Sequence, residues 1–268
     1  MHIHFLDPYQ GRPSPVHQLD ARVKLILVLA FILTVSLTPP GAWPVYILLL
    51  AGILSVEILS ELGLSYILKR SLLALPFVLA ALPIIFTLPG ETLATFNIGS
   101  WTMTISSNGL ERFISIALKS WISIQAAIVL ASSTPFPELL VAMRAIRIPR
   151  LLVSTFSLMW RYLFVLGDEA LRLFRARTSR SSRSDQPGLK SGGSLTWRAG
   201  VTGGMAGNLF IRAFERSDRI YMAMLSRGYD GEERSLPHPK INTSSYIFLS
   251  VCLLLLTTLL LFAYMFWV

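Results

Sequence analysis

The sequence predicts an all-α integral membrane protein, with about five transmembrane helices and a helical cytoplasmic region between spans four and five. Three observations carry this. Apolar residues fill 53% of the 268 positions and charged ones only 15%, where soluble domains carry roughly a quarter charged. Five stretches are apolar over the roughly 20 residues that a helix needs to cross a bilayer core. The charge is also segregated. Residues 134–242 hold 17 of the 24 Lys and Arg against 9 of the 15 Asp and Glu, which is +8 of the net +9.

The opening "MHIHFLDPYQGRPSPVHQLDARVK" is polar and proline-containing, which a signal peptide is not. The spans are expected at about 22–39, 43–62, 66–88, 109–132 and 244–267. The first ends at "TPPG", where Pro39 and Pro40 cannot continue a helix and Gly41 permits a turn. The third carries Pro76 and Pro83 and is expected to kink. Lys and Arg mark the cytoplasmic side of a span. Arg12, Arg22 and Lys24 precede the first span and Lys69 and Arg70 follow the second, while the first and third connections lack positive charge until Arg112. The N-terminus is therefore expected inside and the C-terminus outside, with Trp43, Trp101 and Trp267 at outer boundaries, where indoles favour the interface.

This divides the chain into residues 1–133 (N-terminal segment and spans one to four), 134–242 (cytoplasmic helices) and 243–268 (span five). Within the insert, "PFPELLVAMRAIRIP" reads as a short helix stopped at Pro149. A long helix follows over about 150–180, with Leu152, Phe156, Met159, Leu163, Leu166, Ala170 and Leu173 at alternating spacings of four and three. The Ser-, Gly- and Pro-rich stretch 181–196 reads as a flexible linker. A second long helix spans about 197–227, with Phe210, Phe214, Ser217, Tyr221 and Met224 as its stripe. Each stripe is a seam that wants another helix. Gly203, Gly204 and Gly207 suit either a close helix approach or a loose turn before the helix.

The two long helices end alike. "DEALRLFRARTSRS" (168–181) set over "ERSDRIYMAMLSRG" (215–228) matches Arg172 with Arg219, Ala176 with Ala223, Ser179 with Ser226 and Arg180 with Arg227. Gly228 is the residue that a helix end prefers. Arginine there also complements the helix dipole, which is the purely structural reading of both. A second reading is that an arginine at a rigid tip, flanked by small residues, offers its planar fork of donors to carboxylates on another protein.

These residues resemble the T component of energy-coupling factor (ECF) transporters, and within it the cobalt/nickel CbiQ type. The likeness covers essentially the whole chain and rests on "LDPYQGRPSPVHQLDARVKL", "STPFPELLVAMRAIRIPRLLV", "MWRYLFVLGDEALRLFRA" and above all "RAFERSDRIYMAMLSRGYDG". The resemblance implies a non-enzymatic membrane subunit that couples two ABC-type ATPases to a substrate-binding membrane subunit. It further implies two small–Arg–small motifs on coupling helices that contact the ATPases. The second maps onto Ser226, Arg227 and Gly228. The first maps onto Ser179, Arg180 and Ser181, with Ala176-Arg177-Thr178 as a competing frame. The family more often carries alanine before the arginine, where serine stands here.

The remaining features point away from chemistry on this chain. There is no GxxxxGK[ST] run to bind ATP, and no nucleophile–base set. A lone Cys252 excludes a disulfide within the chain. No cofactor or metal site is expected: His2 and His4 read as polar residues of a tail, and no span carries a ligand set. "RTSRSSRSD" has no interleaved aromatic, so it reads as solvated or lipid-facing rather than as a nucleic-acid patch. Lys119 lies inside the fourth span, where it either snorkels outward or meets a partner. Glu57 and Glu61 are expected to pair with Lys69 or Arg70. A vitamin importer's T component and a self-contained secondary transporter remain as alternatives; the latter should show charged or discontinuous spans at the midplane.

Overall fold

The computed structural model describes residues 8–98, 101–180, 194–231 and 242–267. The chain divides into two compact units: residues 7–146 with 238–268, and residues 147–237 with 1–6.

In the first unit every expected span is helical, and local chemistry sets the ends. Helix α1 (Pro15–Gln18) is capped by Ser14, and α2 (Ala21–Leu37) by Asp20, whose Oδ1 accepts from the Arg22 amide at 2.9 Å. After Pro39 and Pro40, Gly41 takes φ +86 and α3 (Trp43–Leu59) begins. The third span is broken into α4 (Leu64–Ser71), one 3-10 turn (Leu72–Ala74), α5 (Leu75–Ala80) and α6 (Ile84–Thr87). Pro76 falls in the first turn of α5 and Pro83 at the start of α6, where a missing N–H does least harm. Helix α7 (Ser107–Ser133) is capped by Ser106, α8 (Phe136–Ala145) carries proline in its first turn, and α11 (Thr243–Trp267) closes the unit. Leu64–Thr87, α7 and α11 are long and apolar enough to cross a membrane. The 17 residues of α2 and of α3 rise about 25 Å each, just short of a core of about 30 Å. The molecule is an all-α, multi-pass membrane protein.

One element was not expected. The connection between α6 and α7 forms an antiparallel hairpin of β1 (Thr92–Ile98) and β2 (Trp101–Ser106), with Ile98 opposite Trp101. The sequence carries the signal: "TLATFNI" and "WTMTIS" alternate around Gly99-Ser100, a hairpin-type pair.

The core joins α2, α3, α4, α7 and α11 through Val35, Val45, Leu49, Ile67, Ile122, Val129 and Leu256. The small residues Ala42, Ala126 and Ala263, all buried, let the helices approach closely. Leu33, Ile47, Ile58, Phe77, Leu254 and Met265 stand exposed, a surface that a bilayer covers and water does not.

The ionisable groups Lys119 and Glu57 lie within the spans, and the second departs from expectation. Lys119 Nζ donates to the Ser36 carbonyl at 3.0 Å. That carbonyl would accept from residue 40 in a continuing helix, but Pro40 has no N–H, so the lysine supplies the missing donor. Glu57 does not pair with Lys69 or Arg70. It continues the stripe Val45, Leu49, Ile53 at spacings of four and is 1% exposed, with no hydrogen-bond partner among the described residues. The guanidinium of Arg70 instead lies 4.7 Å from the centre of the Tyr66 ring.

The two ends of the bundle differ. At one end Trp267 lies beside Gly41, and Gly41 N–H donates to Ser115 Oγ at 3.3 Å. At the other, the segment before α2 ties onto the end of α7. Gln10 N–H donates to the Ser132 carbonyl at 2.9 Å, and Lys24 Nζ bridges the carbonyls of His17 (3.4 Å) and Ser133 (3.1 Å). His17 Nε2 donates to the Gln10 carbonyl at 2.8 Å, so neutral Nδ1 accepts from Ser14 Oγ at 2.6 Å. Burial holds the imidazole below its usual pKa, outweighing the opposing effect of the bond to Gln10. The folded state therefore binds fewer protons than the unfolded one just below pH 6.5. Stability is fully present above that value and is lost as pH falls through the folded-state pKa. Thermal melts at pH 7.5 and 5.5 are expected to differ more for the native chain than for a His17→Gln variant.

Candidate coupling helices

The second unit carries the described residues of the expected coupling motifs. Helix α9 (Arg150–Arg180) and helix α10 (Leu195–Leu225) are 31 residues each. Ser194 caps α10 by accepting from the Trp197 amide at 3.2 Å, so the helix begins two residues before the expected start. Gly203, Gly204 and Gly207 are helical rather than a loose turn, and nothing lies within 4 Å of where their Cβ atoms would be.

The helices run antiparallel. Arg177 Nη1 donates to Thr202 Oγ1 at 2.9 Å near one end. Glu169 meets both Arg216 (3.1 Å) and Arg212 (3.4 Å) near the middle. Toward the other end an apolar groove of about 680 Å³ opens between Leu158, Tyr162 and Leu166 on α9 and Ala213, Ile220 and Met224 on α10. The expected seams are thus partly redrawn. Leu166, Ser217, Tyr221 and Met224 do line the groove, but Phe210 and Phe214 are 71% and 60% exposed, and Leu152 and Met159 are also exposed. Ala213 and Ile220, outside the expected stripe, are half-buried on the groove, while Phe210 and Phe214 of the stripe stay exposed.

The two tips share their local chemistry. Ser179 Oγ donates to the Ala176 carbonyl and Ser226 Oγ to the Ala223 carbonyl, both at 3.0 Å. Each motif serine thus turns back onto its own helix and leaves the next residue unobstructed. Arg180 and Arg227 are both exposed. In the competing frame, Arg177 is engaged with Thr202, which favours Arg180 as the outward arginine. Ser181 lies outside the described residues, as do His2, His4 and residues 182–193 of the expected linker.

At the second tip, Gly228 takes φ +79, its N–H donates to the Leu225 carbonyl, and the Tyr229 N–H reaches back to the Met224 carbonyl, each at 3.0 Å. This is the Schellman ending, with Met224 and Tyr229 both lining the groove as its apolar contact. Gly228 therefore fixes where the helix stops and where Arg227 projects. Because the helices are antiparallel, Arg180 and Arg227 lie at opposite ends of the pair. With the Arg177–Thr202 and Glu169–Arg216 contacts as the two limiting registers and 1.5 Å per residue, the tips are about 33 to 42 Å apart.

By length and composition alone α9 also passes as a membrane-crossing helix. Its Arg161, Arg172, Arg175 and Arg177 are costly within a bilayer core. Among the described residues, no three His, Cys, Asp or Glu side chains are grouped as a metal site would need.

Comparison with known proteins gives consistent results. The chain is 30% identical over 258 residues to the energy-coupling factor transporter transmembrane protein EcfT of Macrococcus caseolyticus, covering 92% of each chain. It is 28% identical over 222 residues to the cobalt transport protein CbiQ of Salmonella typhimurium, covering 78% of this chain and 90% of that one. It is also 30% identical over 225 residues to the putative fused cobalt transport protein CbiMQ of Methanocorpusculum labreanum; the match covers 81% of this chain but spans only 35% of that longer protein. The family described as "CbiQ: Cobalt transport protein" matches residues 12–239, so the chain belongs to that family, as its sequence resemblance implied.

Proposed function

We propose that this chain is the non-catalytic transmembrane coupling subunit of an ATP-driven ECF-type importer, for cobalt or nickel ions. The observation that carries this reading is the antiparallel pair α9–α10, with a Ser–Arg–small tip at each end. Tips about 33 to 42 Å apart suit two separate docking surfaces better than one. Arg180 and Arg227 dock into acidic grooves on two ABC-type ATPase subunits, where a guanidinium makes forked bonds to carboxylate. ATP is hydrolysed on those subunits, and their closure moves the tips. The unpartnered face of α10, with Gly203, Gly207, Phe210 and Phe214, takes the substrate-binding membrane subunit. Small residues there admit a close helix, and the aromatics supply contact area. The N-terminus is cytoplasmic and the C-terminus is outside.

The cobalt cargo is supported by the names of the CbiQ and CbiMQ relatives. The name of the EcfT relative carries no cargo, which leaves room for a second reading, the same subunit in a vitamin importer. A mild-detergent pull-down from native membranes tests both. An ABC-type ATPase with a small membrane protein is expected, and uptake of labelled cobalt or nickel by the reconstituted set names the cargo. A chain that comes down alone defeats the coupling role.

A further inference from the structure

We propose that the Glu169–Arg216 ion pair is the pivot of the coupling helices, a positioning contact that fixes where the two arginine tips stand relative to one another. The proposal rests on the coupling role given above.

The sequence echo equates positions 47 residues apart, and Glu169 and Arg216 are separated by 47. The ion pair therefore joins equivalent positions of the two repeats. In an antiparallel pair of similar helices, a contact between equivalent positions marks the local pseudo-two-fold axis. Leu166 and Ala213, equivalent in the same frame, both line the groove beside it. The arms from this axis are equal: Arg180 lies 11 residues beyond Glu169, and Arg227 lies 11 beyond Arg216. Each arm is about 16 Å of helix.

The energetics suit a pivot. Glu169 is 17% exposed and accepts from two guanidinium groups, at 3.1 Å from Arg216 and 3.4 Å from Arg212. Arg212 and Arg216, one turn apart on α10, keep the carboxylate engaged as the crossing angle changes. The arginines themselves are 56% and 36% exposed, so solvent and salt screen the attraction. The contact therefore sets geometry and adds little to stability. Helix α10 has no buried residue among those described, and the groove leaves the helices apart on one side of the pivot. Turning about this point meets little packed resistance.

The test uses the full chain in complex with its ATPases, with Cys252→Ala and spin labels at the equivalent exposed positions Arg175→Cys and Met222→Cys. A single narrow distance peak is expected. Glu169→Gln is expected to lose that peak, and the swapped pair Glu169→Arg with Arg216→Glu to restore it. In label-free complexes Glu169→Gln is expected to retain the ATPases but lower the uptake achieved per ATP hydrolysed, with recovery in the swapped pair. A peak unchanged by Glu169→Gln, or an unmoved uptake ratio in an intact complex, overturns the pivot. Loss of the ATPases from the unaltered chain instead defeats the coupling role, while the label distances, read on the chain alone, still report on the contact.

Discussion

Arg227→Glu is expected to abolish ATPase co-purification while leaving the chain in the membrane at its native level. Arg227 is exposed, is followed by a glycine in the left-handed region, and is not one of the two arginines that pair with Glu169, so its removal leaves the helix pair intact. Reversal acts twice on the proposed contact. It removes the forked donor, and it presents a carboxylate to an acidic groove at the negative end of a helix dipole. Breaking a desolvated charge pair costs about 3–5 kcal/mol, which is more than a hundredfold in affinity. The matching control is Arg219→Glu, an exposed arginine on the same helix away from the tip. Arg212 is a poor control because it contacts Glu169. Equal, mild losses for Arg227→Glu and Arg219→Glu would show that general basic charge makes the contact, not the tip.

Gly109→Ala is expected to disrupt the membrane bundle and lower the yield of folded chain. A methyl at Gly109 would lie 2.7 Å from the Ile85 carbonyl, 2.9 Å from the Ile84 carbonyl and 2.8 Å from Ser106 Oγ. Two of these are backbone atoms of α6, so relief requires the helices to part. The Ser106 cap of α7 sits at the same place, with Gly109 N–H donating to its Oγ at 2.9 Å. Overpacking of this kind costs about 1–3 kcal/mol. Size-exclusion profiles and thermal melts in detergent check it. Gly52→Ala, with open space around its Cβ position, should be tolerated, and equal behaviour of the two variants would refute the close approach of α6 and α7.

The spans were legible because bilayer thickness and proline act locally, so apolar length and the TPPG, Pro76 and Pro83 breaks suffice to place them. The likeness of the two helix ends was legible for the same reason. The Ser–Arg–small endings recur in sequence, and each serine makes the same back-bond in the structure. The seams were less so. A bulky stripe such as Phe210, Phe214 and Tyr221 fits a partner protein as well as a neighbouring helix, and periodicity does not distinguish the two. The groove is lined by Ala213 and Ile220 beside the stripe positions Ser217, Tyr221 and Met224, and the charged cluster at Glu169 ties the two helices, which hydrophobic patterning passes over. Glu57 was misplaced because its charge was given more weight than its spacing from Val45, Leu49 and Ile53. The hairpin lies in a connection between spans, where apolar length and the placement of Lys and Arg carry no information about strands.

The opposite placement of Arg180 and Arg227 has a mechanical consequence. Forces applied at the two ends of a lever in opposite directions form a couple, with no net push or pull. A helix pair driven in that way delivers torque to whatever rests on it. On the proposed coupling role, the membrane anchor would then have to resist twisting rather than extraction.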